Sequence, residues 1–132
     1  MAHFNSLEEA QEFFKKDAFA TGSGMQVDEI GEESCVCSMK LTDQHKNAIG
    51  GIMGGAIFSL GDFAFAVTVN HVHMPSVAQQ MNINFLAPPK GDTLIARTHV
   101  KRSGRTSTIV NIDVTDNTGR DVAQLTGTGY KL

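Results

Sequence analysis

The stretch of sequence that decides the fold runs from residue 54 to residue 70 and reads GGAIFSLGDFAFAVTVN. Its only ionisable side chain is that of Asp62. From Ala56 to about Asn70 the pattern predicts a long helix that is apolar nearly all round. A helix of that kind must be buried on most of its sides, so the rest of the chain has to cover it.

The segments on either side of this helix predict strands. Apolar and polar residues alternate with a period of two between tight turns, as at Cys35, Cys37, Met39 and Leu41. The tight turns imply a largely antiparallel sheet, which can curl around the helix in an α+β fold. The six predicted strands cover residues 25–30, 34–41, 76–86, 93–101, 106–115 and 121–131.

The N-terminal residues predict a second, short helix. Ser6 and Glu9 form a capping-box pattern in which Ser6 is the N-cap. The helix is expected to run to about Asp17, and the TGSG sequence at residues 21–24 ends the segment. Its apolar face is predicted to carry Leu7, Ala10, Phe13 and Phe14.

Length and composition indicate one globular domain over residues 1–132. Apolar residues make up 41% of the chain, charged residues 19%, and the formal net charge is -3. This balance does not favour nucleic-acid binding, which usually requires a basic domain or stripe. The N-terminus lacks the features of a signal peptide, and Asp62 with several glycines makes residues 50–69 a poor membrane span. We therefore expect a cytoplasmic protein that binds neither nucleic acid nor membrane.

The cysteines and histidines do not predict a metal site. Cys35 and Cys37 are the only cysteines, and their C-x-C spacing on a strand does not favour a disulfide. We expect two buried thiols in a reducing compartment. His71 and His73 have no acidic third ligand nearby, which makes them a weak pattern for zinc. No metal and no other cofactor is expected.

Asp62 is the first candidate for a catalytic role. Burying an unpaired carboxylate costs several kcal/mol, so this side chain must be partnered, exposed at a cleft or protonated. Desolvation also raises the pKa of a carboxyl group, which suits a general base or nucleophile near neutral pH. The alternative is structural: Ser59, Asp62 and Ala66 form a narrow solvent-exposed stripe of an edge helix.

The glycine pair at the start of the predicted helix is the second candidate. At Gly54 and Gly55, free backbone N–H groups meet the positive end of the helix dipole. Because neither residue has a side chain, a ligand carbonyl can approach closely and a developing oxyanion can be stabilised. The alternative is that the glycines only allow tight packing of helix and strand.

Residues 47–66 combine these features in one motif, NAIGGIMGGAIFSLGDFAFA. The motif resembles the signature of the phenylacetic-acid-degradation (PaaI-type) hotdog thioesterases, N-x-x-G-x-x-H-G-G followed by an acidic residue on a helix. The similarity continues through MNINFLAP at residues 81–88, GDTL at 91–94 and VAQLTGTGY at 122–130. The resemblance implies the hotdog fold, in which an antiparallel sheet of about six strands wraps around one long central helix.

The resemblance also implies an enzyme, an acyl-CoA thioesterase that hydrolyses small aromatic or medium-chain acyl-CoA to free acid and CoA. Asp62 would be the general base that activates water, or the nucleophile that forms a transient anhydride. The Gly54 N–H would polarise the thioester carbonyl, and Asn47 would orient water or substrate. Asp62 would face Asn47 and Gly54 of a neighbouring chain, which makes a homodimer the active unit and a homotetramer common.

Two positions depart from the family pattern. Met53 stands where the family often has His, and methionine cannot donate or accept as an imidazole does. Ala78 stands where some relatives carry a hydroxyl that helps to hold water. Met53 still belongs, with Gly55 and Phe58, to the predicted substrate contacts.

A basic hairpin turn is the candidate site for the CoA phosphates. Arg102 and Arg105 can pair with phosphate, and the backbone at Gly104 can add N–H donors. An ordinary solvated turn has the same composition, so the sequence leaves both interpretations open.

Two further functions stay open. One is a hotdog hydratase or dehydratase, which usually requires a catalytic His beside the carboxylate, and Met53 removes the obvious one. The other is a non-catalytic acyl-CoA-binding protein, an interpretation that the residues at Met53 and Ala78 keep open.

Overall fold

A computed structural model describes residues 3–132 of the chain. Three helices and six strands follow one another in the order α1, α2, β1, β2, α3, β3, β4, β5, β6. The helices are α1 (Leu7–Phe14), α2 (Ala18–Gly22) and α3 (Gly54–Val72). The strands are β1 (Met25–Ile30), β2 (Ser34–Lys40), β3 (Ser76–Phe85), β4 (Thr93–Ser103), β5 (Ser107–Asp116) and β6 (Asp121–Lys131).

The six strands form one antiparallel sheet in the order β1-β2-β4-β5-β6-β3. The alternation of the sequence sets the register, so apolar partners such as Ile112 and Leu125 lie on the inner side. β1 and β3 are the two edges of the sheet. The N-terminal helices cover the β1 side, whereas much of β3 is exposed.

The sheet wraps around α3, which confirms the predicted hotdog fold. Leu60, Ala64 and Val67 on the inner face of the helix are fully buried against the sheet. Two glycines of β6 allow the helix to come this close. A Cβ atom at Gly127 would lie 2.6 Å from the Phe65 ring, and one at Gly129 would lie 2.9 Å from the Val69 side chain.

The predicted N-terminal helix is only partly correct. The Ser6 hydroxyl accepts the Glu9 N–H at 3.1 Å, so the predicted N-cap is confirmed. The helix ends at Phe14, however, and a second short helix, α2, follows. The Asp17 carboxylate accepts the Ala20 N–H at 3.0 Å, and this capping bond starts α2 where the prediction had only a break.

The remaining boundaries differ by a few residues. α3 is two residues longer at each end than predicted. At its start, Met53 is extended and its carbonyl accepts the N–H groups of Ala56 and Ile57. β4 continues to Ser103 and β5 starts at Ser107, so the turn between them is shorter than expected. The Gly104 N–H closes this turn on the Ser107 carbonyl at 2.8 Å.

Both cysteines are free and buried, as predicted, with their sulfur atoms 3.8 Å apart. His71 is buried and stacks on Phe4. Within residues 3–132, no three His, Cys, Asp or Glu side chains gather in a metal-binding cluster. By length and composition alone α3 could span a bilayer, with a mean hydropathy of 1.2, but 56% of that window is buried inside the fold.

Candidate active site

The start of α3 presents free backbone donors. Met53 is the N-cap residue, is extended at φ -63° and ψ 135°, and makes no side-chain capping bond. The N–H groups in the first turn of a helix have no intrahelical acceptor and lie at the positive end of the helix dipole. Gly54 is the first helical residue, and a Cβ there would lie 3.1 Å from the tip of the Phe85 ring. Because Gly54 has no side chain of its own, a ligand can approach this N–H closely.

The loop before α3 is a small closed hairpin that holds Asn47. The Asn47 side-chain oxygen accepts the N–H groups of Ile49 and Gly51 at 3.1 and 3.0 Å. Gly50 adopts a φ of +86°, which a glycine tolerates without strain. With both contacts on the side-chain oxygen, the exposed Asn47 side chain has its NH₂ group left to donate.

His45 anchors this hairpin, a role that the sequence did not indicate. Its ring is 5% exposed, its Nδ1 accepts the Thr42 N–H at 3.0 Å, and its Nε2 donates to the Ser23 carbonyl at 2.8 Å. The His45 carbonyl accepts the Met53 N–H at 2.8 Å. One buried residue therefore links the end of α2, through its ring, to the N-cap residue of α3, through its backbone carbonyl. A loop histidine is usually solvated, so only the tertiary contacts identify this one.

An apolar cavity of about 400 Å³ lies beside the start of α3. We call it the Met cavity, because three methionines contribute to its wall. The lining residues are Phe19, Ser23, Met25, Met39, Gln44, His45, Met53, Gly55, Ala56 and Ser59. The cavity brings together two predicted substrate contacts, Met53 and Gly55, and adds α2 as a wall that the sequence did not indicate.

A second cavity of about 300 Å³ lies on the other side of Gly54. We call it the Phe85 groove. It is lined by Ile52, Gly54, Ile57 and residues 85–89. Two cavities thus diverge from one helix start.

Asp62 lies half-buried on the outer side of α3, in line with Ser59 and Ala66, which are also half-buried. Burial raises the pKa of the Asp62 carboxyl above its ordinary value, and the negative charge of Asp17 adds to the rise. The three ion pairs within residues 3–132 do not involve Asp62. The predicted stripe is therefore present, and it carries a carboxylate that is partly desolvated and has no cationic partner there.

Asp62 and Gly54 are separated along the helix. Eight residues at 1.5 Å per residue place them about 12 Å apart. A reacting carbonyl needs its donors at about 3 Å, so these two groups cannot meet at one carbonyl within a single chain.

The other predicted binding residues lie elsewhere. Phe58 is half-buried and packs against the core. The turn with Arg102 and Gly104 contacts the far end of α3, where His73 Nε2 approaches the Gly104 carbonyl at 3.0 Å. This end is roughly 27 Å from Gly54 along the helix, so one chain does not bring the basic turn to the glycine pair.

Comparison with known proteins assigns the family. The family model of the thioesterase superfamily matches residues 49–123, which include α3, β3, β4 and β5. The acyl-coenzyme A thioesterase PaaI of Escherichia coli is 30% identical over all of this chain and 94% of its own length. Human acyl-coenzyme A thioesterase 13 is 33% identical over 67% of this chain and 66% of its own. The chain therefore belongs to the thioesterase superfamily and is a thioester hydrolase.

Solved structures agree with this assignment. The structure of E. coli PaaI matches with a TM-score of 0.87 and 28% identity, and the match covers 96% of both chains. A hypothetical thioesterase from Streptococcus pneumoniae, solved with coenzyme A, matches with a TM-score of 0.80 and 26% identity over 89% of this chain and 94% of its own. Both matches include the long helix and the sheet around it.

Proposed function

We propose that this protein hydrolyses acyl-CoA thioesters, with Gly54, Asp62 and Asn47 as the catalytic residues. The observation that carries the proposal is the open start of α3, where an uncapped Gly54 N–H lies between two cavities. A thioester has two arms that diverge from its carbonyl, and the cavities offer a place for each. The names of the E. coli and human relatives and the coenzyme A bound by the streptococcal relative support CoA as the carrier.

Gly54 and Asn47 act on the carbonyl in this proposal. The N–H at a helix start is fixed in direction and needs no reorganisation when negative charge develops on the oxygen. The Asn47 NH₂ group is the part of that side chain left to donate, so its role is narrower than the sequence implied. It donates to the substrate carbonyl or to the oxygen of the attacking water.

Asp62 supplies the base. Its raised pKa matches general-base catalysis near neutral pH better than an ordinary aspartate would. It accepts a proton from water as the water attacks the carbonyl. It then gives this proton to the sulfur as the carbon–sulfur bond breaks, so that CoA leaves as the thiol. Direct attack by the carboxylate, through a transient anhydride, uses the same residue.

The separation of Asp62 from Gly54 supports a site shared between two copies of the chain. Within one chain the two groups lie about 12 Å apart, whereas a neighbouring copy can place its Asp62 opposite this Gly54. The exposed β3 edge offers unpaired backbone groups along which a second copy can add its own strand. Ala78 and Gln80 lie on this edge, with a bulge between them. We propose a homodimer as the active unit, and further pairing into a tetramer.

Release of thiol from a panel of acyl-CoA esters tests the activity. We expect turnover by the wild-type protein on several of them. Thermal stabilisation by CoA esters without turnover of any would instead favour a protein that only binds acyl-CoA.

A proline substitution isolates the role of the Gly54 N–H. Proline is tolerated at the first position of a helix, and the extended Met53 has the backbone conformation that a residue before proline prefers. Gly54→Ala is the matched control, since it adds a Cβ beside Phe85 but keeps the N–H. We expect kcat of Gly54→Pro to be about 100- to 1,000-fold below that of Gly54→Ala. Equal rates would remove Gly54 from the mechanism.

Mixed dimers test the shared site. We expect Gly54→Pro and Asp62→Asn chains to be inactive alone but to recover about a quarter of wild-type activity when unfolded and refolded together in equal amounts, because half of the dimers then contain one intact site. Recovery no greater than the sum of the two separate activities would place both groups in the same chain.

A further inference from the structure

We propose that the Met cavity is the acyl-binding pocket and that it selects unbranched aliphatic acyl chains, with the thioester group held at the Gly54 N–H. This inference rests on the proposed function, because it assigns one arm of the same substrate to one of the two cavities. It goes further in naming the class of acyl group and the residues that recognise it.

The position of the cavity supports this assignment. Met53 and Gly55 flank the Gly54 N–H and form part of the cavity wall. A carbonyl bound at that N–H therefore has the mouth of the cavity directly beside it. The acyl carbons can enter the cavity without crossing the helix.

The wall of the Met cavity is suited to hydrocarbon. Met25 and Met39 are buried at its base, with 8% and 0% of their surfaces exposed, and Met53 borders its mouth. Two polar side chains of the wall already have partners: the Gln44 amide donates to the Gly22 carbonyl at 3.1 Å, and both ring nitrogens of His45 are bonded. The other polar side chains in the wall are the small hydroxyls of Ser23 and Ser59. A polar ligand would find few free partners there, whereas an alkyl chain gains from leaving water.

The same wall favours a flexible chain over a flat ring. Methionine side chains are unbranched and adaptable, so they follow the shape of a chain of variable length. Phe19 is the one Phe, Tyr or Trp in the wall, and it is 68% exposed. A slot for an aromatic ring generally places rigid groups on both faces of the ring. The lining residues include no second Phe, Tyr or Trp, and the His45 ring is held by hydrogen bonds at both nitrogens.

The Phe85 groove is the better place for the other arm. Phe85 and Leu86 are more than half exposed, and Pro88 and Pro89 form a stiff border. A groove of this kind gives a long polar arm access to water along its length. We therefore assign the CoA arm to the Phe85 groove.

Binding of non-hydrolysable S-alkyl-CoA thioethers tests the proposal independently of catalysis. Titration calorimetry with alkyl chains from ethyl to dodecyl gives the gain in affinity for each added methylene. For wild type we expect each methylene to strengthen binding about fourfold until the cavity is full, and a plateau after that. Affinity that does not depend on alkyl length would overturn the proposal.

Three alanine-to-leucine variants locate the pocket. Ala56→Leu fills the Met cavity from α3, Ala87→Leu fills the Phe85 groove, and Ala18→Leu is a surface control on α2 outside both. We expect the plateau to move to chains two or three carbons shorter in Ala56→Leu only. Ala87→Leu should weaken all thioethers by a similar factor, and Ala18→Leu should resemble wild type. Ser59→Leu is a second filling variant in case Ala56→Leu does not fold, as judged by its thermal unfolding.

The opposite pattern would exchange the two assignments. In that case the affinity of Ala87→Leu would stop rising at a shorter alkyl chain, whereas that of Ala56→Leu and Ser59→Leu would stop at the same length as in wild type. These measurements are independent of turnover. If affinity depends on alkyl length but no acyl-CoA is hydrolysed, the Met cavity is still the acyl pocket and the proposed enzymatic activity is rejected. Hydrolysis of acyl-CoA, together with affinity that stops rising at the same alkyl length in every variant, would support the proposed enzyme but reject the Met cavity as its acyl pocket.

Discussion

The two faces of α3 differ in what they contact, although both belong to one 19-residue helix. The inner face, with Leu60, Ala64 and Val67, is fully buried against the sheet. The outer stripe, with Gly55, Ser59, Asp62 and Ala66, is half-buried or exposed within one chain. The inner face is complete in the monomer, whereas the outer stripe carries the unpaired charge and borders the Met cavity. The proposed function therefore lies on the side of the helix opposite to the face that stabilises the fold.

The largest effect is expected on the outer stripe. Asp62→Asn keeps the size of the side chain but removes the base, so we expect kcat to fall about 100- to 10,000-fold. We expect the free energy of unfolding at neutral pH to stay the same or to rise, because a desolvated charge is removed. Thiol-release kinetics and urea unfolding measure the two quantities. A stable variant with wild-type turnover would contradict the assignment of Asp62.

The opposite result is expected on the inner face. Leu60→Ala leaves a cavity between the helix and the sheet, and we expect the free energy of unfolding to fall by about 2–5 kcal/mol. Its kcat, measured at a temperature where the variant is still folded, should stay within a few-fold of wild type. A large loss of kcat in the folded variant would mean that the two faces are not separable.

A pair of glycines on the two faces gives a smaller contrast. A Cβ at Gly61 would lie 2.7 Å from the buried Leu125 side chain, so we expect Gly61→Ala to destabilise the fold by about 1–3 kcal/mol. A Cβ at Gly55 would meet the flexible end of Met53 at 3.4 Å. Gly55→Ala should therefore be neutral, or gain up to about 1 kcal/mol from helix propensity. Thermal unfolding of both variants measures this difference, and equal destabilisation would contradict it.

The smallest expected effect is a change in pH dependence. Because the pKa of Asp62 is raised in the folded protein, stability should fall as pH rises from the ordinary aspartate value of about 3.9 through the raised pKa, and then level off. The rate should rise through the same folded-state pKa, since the ionised form is the base. Asp17→Asn removes the nearby charge and keeps a side chain that can cap α2.

We expect Asp17→Asn to move the acid limb of the kcat/KM profile to lower pH. Asp28→Asn is a control, because the sources of the Asp62 shift are burial and Asp17. An acid limb that stays in place in Asp17→Asn, or that moves equally in Asp28→Asn, would show that Asp17 does not act on Asp62.

Much of the fold follows from local sequence patterns. Period-two alternation predicted all six strands within about two residues at each end, and the apolar run predicted α3. The second N-terminal helix was missed because α2 is too short to show a periodic pattern, and its start depends on one capping bond from Asp17. In the sequence, Gly127 and Gly129 indicate only a less stable strand. The structure shows that a side chain at either position would collide with α3.

The candidate site was predicted as a set of residues but not as an arrangement. Spacing and resemblance identified Asn47, Gly54 and Asp62. The structure added His45 and the Met cavity, because they depend on contacts between α2, β1, β2 and the loop before α3. It also placed the basic turn at Arg102 and Arg105 at the far end of α3 within one chain, so its contact with the CoA phosphates stays a prediction.

The sequence by itself determined the apolar helix, the antiparallel strands and the single carboxylate, because periodicity and charge are local properties. The tertiary structure decided how these parts relate. It placed Asp62 about 12 Å from Gly54, left its charge half-buried beside Asp17, and opened a cavity next to the glycine pair. Distances and desolvation arise between segments that are far apart in the chain, so no local pattern could have supplied them.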